Sequence, residues 1–406
     1  MKINFLPIIL GTDANAYGLA RSFHEEYGIK SLAIGKIPLK ETKNSKIVEV
    51  KIFNNLQDEQ QFKKIMIDIA NEYSKKYENL ILLSCAEWYT DLIVRNKDLL
   101  EKYYILPFMD KNLKDKLEDK ESFYNICEKY NLDYPATFIV TYQNKDNFTL
   151  PFKFPVAIKP SSSTEYSKVE FDGKEKSYKA NDIEELKTII NTIYNSNYRA
   201  NIIVQDFIPG NDDTMWVINC YSNKHGKVKM MCLGHCILEE HTPYGIGNYK
   251  VLISDGNAEL YDKIKSFLEK INYIGFSNFD LKYDYRDQKY KLFEINIRQG
   301  RSSFFTTAAG CNLAKFLIDD YIYDKDNEPV YNYNKHLWLA TPKSMIKKYV
   351  YNNNVKNEAL NLIKQKKYSY TLKYTKDFSI YRWFWVNRIY FKDYKLYKLY
   401  PPKEGE

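Results

Sequence analysis

Between Asn278 and Arg301 the chain reads NFDLKYDYRDQKYKLFEINIRQGR, and its polar residues recur at intervals that could assemble a site. With a period of two, Asn278, Asp280 and Lys282 share one face of a first strand, and Glu294, Asn296 and Arg298 share one face of a second. Phe279, Leu281, Tyr283, Phe293, Ile295 and Ile297 take the opposite faces, and the polar run Asp284–Gln288 reads as the hairpin loop between them. Asp280, Glu294 and Asn296 would then offer two carboxylates and an amide carbonyl. These are hard oxygen donors, suited to Mg²⁺ when nucleotide phosphates and water complete its octahedron, so the segment points to ATP chemistry. A plain ribbon with its polar side chains in water would account for Asp280. It accounts poorly for Glu-x-Asn-x-Arg flanked by core residues and followed by Gly300, Ser302 and Ser303.

The surrounding pattern says what holds such a hairpin. Residues 3–11 are an apolar strand ending at Gly11, and Asn15–Tyr27 follow as a helix with Leu19, Ala20 and Phe23 inward. Leu80–Cys85 reads as another buried strand, with helical stretches at 58–77 and 88–100, so an α/β layer extends to about residue 110. Gly11-Thr12-Asp13 lacks the Gly-x-Gly-x-x-Gly spacing, which disfavours a plain Rossmann cofactor site. After Pro135 the elements shorten. A strand 154–160 ends in Lys159-Pro160 and the small polar turn Ser161-Ser162-Ser163-Thr164 follows. Residues 169–171 and 174–178 suggest a hairpin across Asp172-Gly173. Asn181 with Glu184 suggests a capping box, opening a helix with Leu186, Ile189, Ile190 and Ile193 on one side; Ile202–Gln205 is the next strand. Another amphipathic helix is expected over 257–272, and there are no internal repeats.

At 406 residues the length suggests two to three domains. No segment has the build of a signal peptide, and no apolar run approaches the ~20 residues that span a bilayer, so the expected location is the cytoplasm. Six cysteines are scattered without a paired framework, which suggests reduced thiols. Cys232-x-x-His235-Cys236 lacks a second ligand pair at finger-like spacing, and a strand with buried thiols is the better reading. The net charge of +8 is concentrated at one end: residues 331–406 hold 16 Lys/Arg against 5 Asp/Glu, a balance of +11 that leaves −3 for the rest. A nucleic-acid-binding catalytic body is not expected from that distribution.

Val156-Ala-Ile-Lys159-Pro, Val204-Gln-Asp-Phe-Ile-Pro-Gly210 and Leu292-Phe-Glu-Ile-Asn-Ile-Arg298 together resemble, in order and spacing, the three nucleotide-binding segments of the ATP-grasp superfamily. More closely, Gly247-Asn-Tyr249, Arg298-Gln-Gly-Arg-Ser-Ser-Phe-Phe305 and Pro7-Ile-Ile-Leu-Gly11 are similar to D-aspartate ligases, which build cross-bridges onto peptidoglycan precursors. The resemblance implies an α/β plus α+β fold: a pre-ATP-grasp, Rossmann-like domain (1–110), a two-lobed ATP-grasp domain (111–330, lid about 135–205) and a basic, aromatic C-terminal segment (331–406). It implies that Lys120 and Lys159 bind ATP phosphates under the amides of Ser161, Ser162 and Ser163. The backbone of Asp206, Phe207 and Ile208, following Gln205, would read the adenine edge, and Asp212 or Asp213 would accept from the ribose hydroxyls. Arg298 would hold the transferring phosphoryl group, with Mg²⁺ at Asp280, Glu294 and Asn296. Arg301, Ser302 and Ser303, together with Asn278, would meet the amino-acid substrate, although the serines also suit a capped helix start over 303–320. Asn278 stands where some relatives carry arginine, which puts one oxyanion donor in doubt.

The implied activity is an ADP-forming ligation of a small amino acid, D-aspartate through its β-carboxylate or else glycine or another, to an amine of a peptidoglycan precursor. An ATP-grasp phosphotransferase or a non-catalytic nucleotide binder are the rival classes. Residues 380–400, IYRWFWVNRIYFKDYKLYKLY, interleave aromatics with Arg and Lys. They could pack on the catalytic body, attract an anionic nucleotide-linked precursor, or make peripheral contact with the cytoplasmic membrane face through Trp383, Phe384 and Trp385.

Overall fold

The strand Phe5–Leu10 is apolar throughout and fully buried, as befits the interior of a parallel sheet. In the computed structural model, which describes residues 4–243 and 245–402 apart from the side chains of Ser163 and Thr164, it pairs in parallel with Ser31–Gly35 and Asn79–Ser84. Val48–Ile52 extends this four-stranded sheet on the Ser31–Gly35 side. Asp13 caps the helix Ala14–Tyr27 by accepting from the Ala16 amide, and Gly28 ends it at φ 66°, a left-handed position that favours glycine.

The chain forms two compact units. The first comprises residues 1–111, 211–279 and 296–405, the second 112–210 and 280–295. Besides the parallel sheet, the first unit holds a mixed sheet in which Met215–Ser222, Val228–Glu239, Tyr249–Asp255, Leu337–Leu339 and Tyr368–Tyr370 are successive neighbours. Cys232 and Cys236 are buried in the long strand Val228–Glu239, and His235 stacks on Trp216 at 4.0 Å. Among the described residues no cluster of His, Cys, Asp and Glu is built to hold a metal, and all six cysteines are free.

The second unit carries an antiparallel sheet in the order Thr137–Val140, Ile202–Asp206, Val156–Pro160, Tyr178–Ala180, covered by the helix Ile183–Asn195 through Leu186, Ile190 and Ile193. Two local expectations shift here. The Asp172-Gly173 turn exists, with Gly173 at φ 75°, but it makes no hairpin: Tyr178–Ala180 pairs with Val156–Ile158 instead, where its one buried side chain, Ala180, reaches the core. The helix cap is Asp182, which accepts from Glu185, and Glu185 returns a bond to the Asn181 amide, one residue along from the expected pair.

The C-terminal segment packs into the first unit. Asp377, with no exposed side chain, accepts from Tyr17 Oη (2.7 Å), Ser45 Oγ (2.8 Å) and the Lys46 amide (2.6 Å), and pairs with Arg382 Nε at 2.9 Å. Arg382 also donates to the Glu41 carbonyl and lies 4.5 Å over the Tyr17 ring. The helix Ile380–Leu399 buries Val386, Tyr390, Asp393 and Tyr397 on the same side. No helix among the described residues is long and apolar enough to cross a membrane. Removing one partner of a buried ion pair leaves the other charge uncompensated, so Asp377→Ala is expected to lower unfolding free energy by about 3–5 kcal/mol. Denaturant unfolding of the full chain checks this, and an unchanged midpoint would contradict the structural role given to the pair.

Candidate functional site

In the second unit, Lys159 is the fourth residue of Val156–Pro160, and the turn after it is held by Asn201. The Asn201 carbonyl accepts from the Ser161 amide (2.9 Å), while its Nδ2 donates to Glu121 (2.9 Å) in the first turn of the helix Lys120–Lys129. Asp119 caps that helix, and Tyr124 anchors it to the hairpin strand Lys289–Asn296 by donating to the Phe293 carbonyl (2.9 Å). These contacts bring Lys120 and Lys159 together, and the Lys159 ammonium lies 4.7 Å over the Phe293 ring, beside Glu294. Desolvation, then repulsion from Lys120, Lys176 and Lys282, lowers the Lys159 pKa to about 8, against the opposing pull of Glu294. With three further ammonium groups and one carboxylate within electrostatic reach, Lys159 sits in a positive surrounding that a polyanion would stabilise.

Neither Lys176 nor Lys282 was expected there. The period-two pattern put Lys282 on the same face as Asp280, which was the available signal; nothing local marked Lys176. Lys282 also donates to the Gly210 carbonyl (3.0 Å), and Lys179 and Lys282 lie on the Phe207 ring at 4.6 and 5.6 Å. Of the remaining expected residues in this unit, the Ser162 amide bonds Tyr198 Oη (3.1 Å), and Gln205 is buried and donates to Thr137 (2.9 Å). The Asp206 and Phe207 amides donate to the carbonyls of Ala136 and Pro155 (2.9 and 3.2 Å), and the Asp206 carboxylate is gripped by Arg286. Ile208 follows, buried. Asp280 is half-buried and Glu294 exposed. The side chain of Ser163 lies outside the described residues.

In the first unit a chain of amides has its direction fixed by a backbone group. The Gly300 N–H can only donate, and it donates to Asn219 Oδ1 at 3.1 Å. Asn278 Nδ2 donates to the same oxygen (3.3 Å), so Asn278 turns its Oδ1 to accept from Asn296 Nδ2 (3.1 Å). Asn296 is thereby left with its oxygen turned away from the relay and bonded by Arg298 Nη2 at 3.3 Å. Asn278, 3% exposed, therefore faces Asn219 and Asn296. Arg298 also bonds Glu87 (3.3 Å) and the Gln299 carbonyl (3.0 Å), and its buried Nε has no partner. An unpaired guanidinium N–H is costly inside a protein, and an anion would satisfy it.

Arg301 is exposed, within electrostatic reach of Glu41, whose carboxyl burial pushes above its usual range. Ser302 and Ser303 are buried in the turn that follows. The single capped helix expected over 303–320 is instead two, Phe304–Ala308 and Leu313–Tyr321, interrupted at Gly310 with φ 105°, and Ser303 makes no capping bond. Asp212 and Asp213 also belong to this unit: Asp212 accepts from His241 Nε2 and the Glu239 amide, Asp213 from Asn352 Nδ2.

The chain is 44% identical to a D-aspartate ligase of Enterococcus faecium over 413 residues, covering 99% of this chain and 98% of that one. No family model matches. Among solved structures it resembles N5-carboxyaminoimidazole synthetase from Staphylococcus aureus in complex with ADP, with TM-score 0.60, 13% identity and coverage of 88% and 87% of the two chains. It also resembles an L-amino acid ligase from Bacillus licheniformis, with TM-score 0.54, 15% identity and coverage of 79% and 74%. At such identities these likenesses speak for the fold alone, the multi-domain α/β ATP-grasp architecture.

A lysine with a depressed pKa exchanges its proton in an accessible range and regains it when an anion binds. Lys159 is expected to titrate near pH 8 in the free protein, and inorganic triphosphate should raise that value. Triphosphate affinity should therefore be greatest below about pH 8 and weaken above it, with proton uptake on binding near pH 8–9. Calorimetry in buffers of different ionisation enthalpy reads this directly, and absence of proton uptake in Lys159→Met alone would assign it to this residue.

Proposed function

The chain belongs to the D-aspartate ligase family, and from that premise we propose that it activates the β-carboxylate of D-aspartate with ATP and joins it to an amine of a peptidoglycan precursor peptide, releasing ADP and phosphate. The lysines within electrostatic reach of Lys159 carry this reading, because they supply the positive charge that a bound triphosphate requires. In this proposal residues 1–110, 111–330 and 331–406 serve as the pre-ATP-grasp domain, the ATP-grasp domain with its lid at about 135–205, and a basic extension. Lys120 and Lys159 hold the nucleotide phosphates. Since the amides of Asp206 and Phe207 already have partners, Ile208 is the hinge amide left to read adenine. Asp212 or Asp213 remains assigned to the ribose hydroxyls.

In this proposal Mg²⁺ arrives with the nucleotide, Asp280, Glu294 and Asn296 would supply oxygens to it, and the amide relay presents Asn296 by its oxygen. When bound, Mg²⁺ would offset the negative charge of the phosphates. Arg298, with its orphaned Nε, would take a phosphoryl or acyl-phosphate oxygen, and Arg301, Ser302 and Ser303 the remaining groups of the amino acid. A carboxylate resists attack by an amine at neutral pH; transfer of the γ-phosphoryl group to it creates a leaving group, and the amine then displaces phosphate.

Oxygen accounting tests the reaction. With ¹⁸O in the carboxylates of D-aspartate, one labelled oxygen is expected in phosphate for each amide formed. Amide without labelled phosphate, or AMP and pyrophosphate as products, would point to an adenylating ligase; a stable phosphorylated product would point to a phosphotransferase. The amide relay is tested separately. Asn278→Leu keeps the volume but frees the Asn296 amide to turn, so the Mg²⁺ concentration giving half-maximal rate should rise about 10–100-fold while the rate at saturating Mg²⁺ changes less. Equal Mg²⁺ dependence in the variant and the parent would remove the relay from the proposal.

A further inference from the structure

The helix Ile380–Leu399 is apolar on two sides, and the body of the protein uses only one. Its inward stripe is Arg382, Val386, Tyr390, Asp393 and Tyr397. On the other side Ile380, Trp383, Phe384 and Phe391 are 80, 58, 51 and 58% exposed, and Leu399 continues the stripe. Arg388, Lys392, Lys395 and Lys398 are exposed among them, while the helix's one acidic residue, Asp393, is buried. Trp385 is half-buried, with the Lys40 ammonium 4.0 Å and the Arg388 guanidinium 5.5 Å from its ring, so the basic surface continues into the loop that carries Lys40.

We propose that this outward face is a docking surface for an anionic lipid bilayer. The segment has the mixture such a surface needs: large aromatic and aliphatic groups to enter the headgroup region, and long basic side chains whose stems lie along the helix while their ends reach lipid phosphate. An exposed apolar stripe of this extent calls for a partner. A second copy of the chain is a poor one, because a two-fold contact would set Arg388, Lys392, Lys395 and Lys398 against their own equivalents with no exposed acid on the helix to pair with them. The helix lies in the plane of the surface and does not enter as a span, in keeping with its charge. The proposal stands on this face alone and is independent of the catalytic reading.

The full chain is mixed with vesicles of phosphatidylcholine alone or with about 30% phosphatidylglycerol, and bound protein is measured by co-sedimentation. Binding is expected only to the anionic vesicles, and largely lost in about 1 M salt, where the Debye length is about 3 Å. Replacing Lys392, Lys395 and Lys398 by Gln should weaken it about a hundredfold, at roughly fivefold per charge. The triple variant Trp383→Ser, Phe384→Ser, Phe391→Ser should lose it with an unchanged melting temperature. Should that variant fail to fold, the unmodified protein gives the same answer: phosphatidylglycerol with brominated chains should quench its tryptophan fluorescence. No binding to anionic vesicles, binding that neither variant weakens, absence of quenching, or a dimer in sedimentation velocity that the aromatic variant dissolves would each overturn the proposal.

Discussion

The direction of one backbone N–H, that of Gly300, governs how the first unit presents itself at the proposed catalytic edge. Because that group can only donate, Asn219 must offer its oxygen, and the orientation of Asn278 and then of Asn296 follows from each bond in turn. The arrangement also needs a residue without a side chain at 300, since a Cβ there would stand 2.6 Å from Asn278 Nδ2. Asn219 is fixed in its turn by the buried strand Met215–Ser222. The polar edge proposed to meet a cation is thus oriented by the core, and the orientation costs a buried Asn219 Nδ2 with no partner.

The second unit stores its specificity as electrostatic repulsion. Lys120, Lys176 and Lys282 each disfavour the charge on Lys159, and Glu294 opposes them. Asn201, which ties the strand carrying Lys159 to the helix carrying Lys120, keeps them from relaxing apart. Such a site gains stability from any polyanion that fills it, so the free unit should be looser than the loaded one. The positive charge is held in place before any polyanion arrives.

How much of this was legible depended on the range of the interactions. The hairpin Gly275–Asp284 with Lys289–Asn296 was readable because side-chain alternation is a local property of a strand, and Phe279 and Leu281 are buried as their period required. The same reasoning overreached at Asp172-Gly173, where the turn was right but the following strand found a better partner in Val156–Ile158. Helix starts were legible to within a residue, as Asp182 in place of Asn181 illustrates. Lys176 and Asn219 were not legible, because their significance lies in neighbours on other elements of the fold. In the sequence Asn278 stands out only for what it replaces, whereas its side-chain bonds to Asn219 and Asn296 show what it holds here.

The buried pair of Asp377 and Arg382 has a consequence for how the chain is made. Its partners Tyr17, Ser45 and the Lys46 amide emerge from the ribosome more than 300 residues before it does. Until Asp377 is synthesised, the N-terminal layer must persist without that partner for those polar groups, and contacts of such long sequence separation form slowly. Completion of the first unit is therefore a late event in biogenesis, and a message truncated anywhere before codon 377 yields a chain whose oldest domain is the one left unfinished.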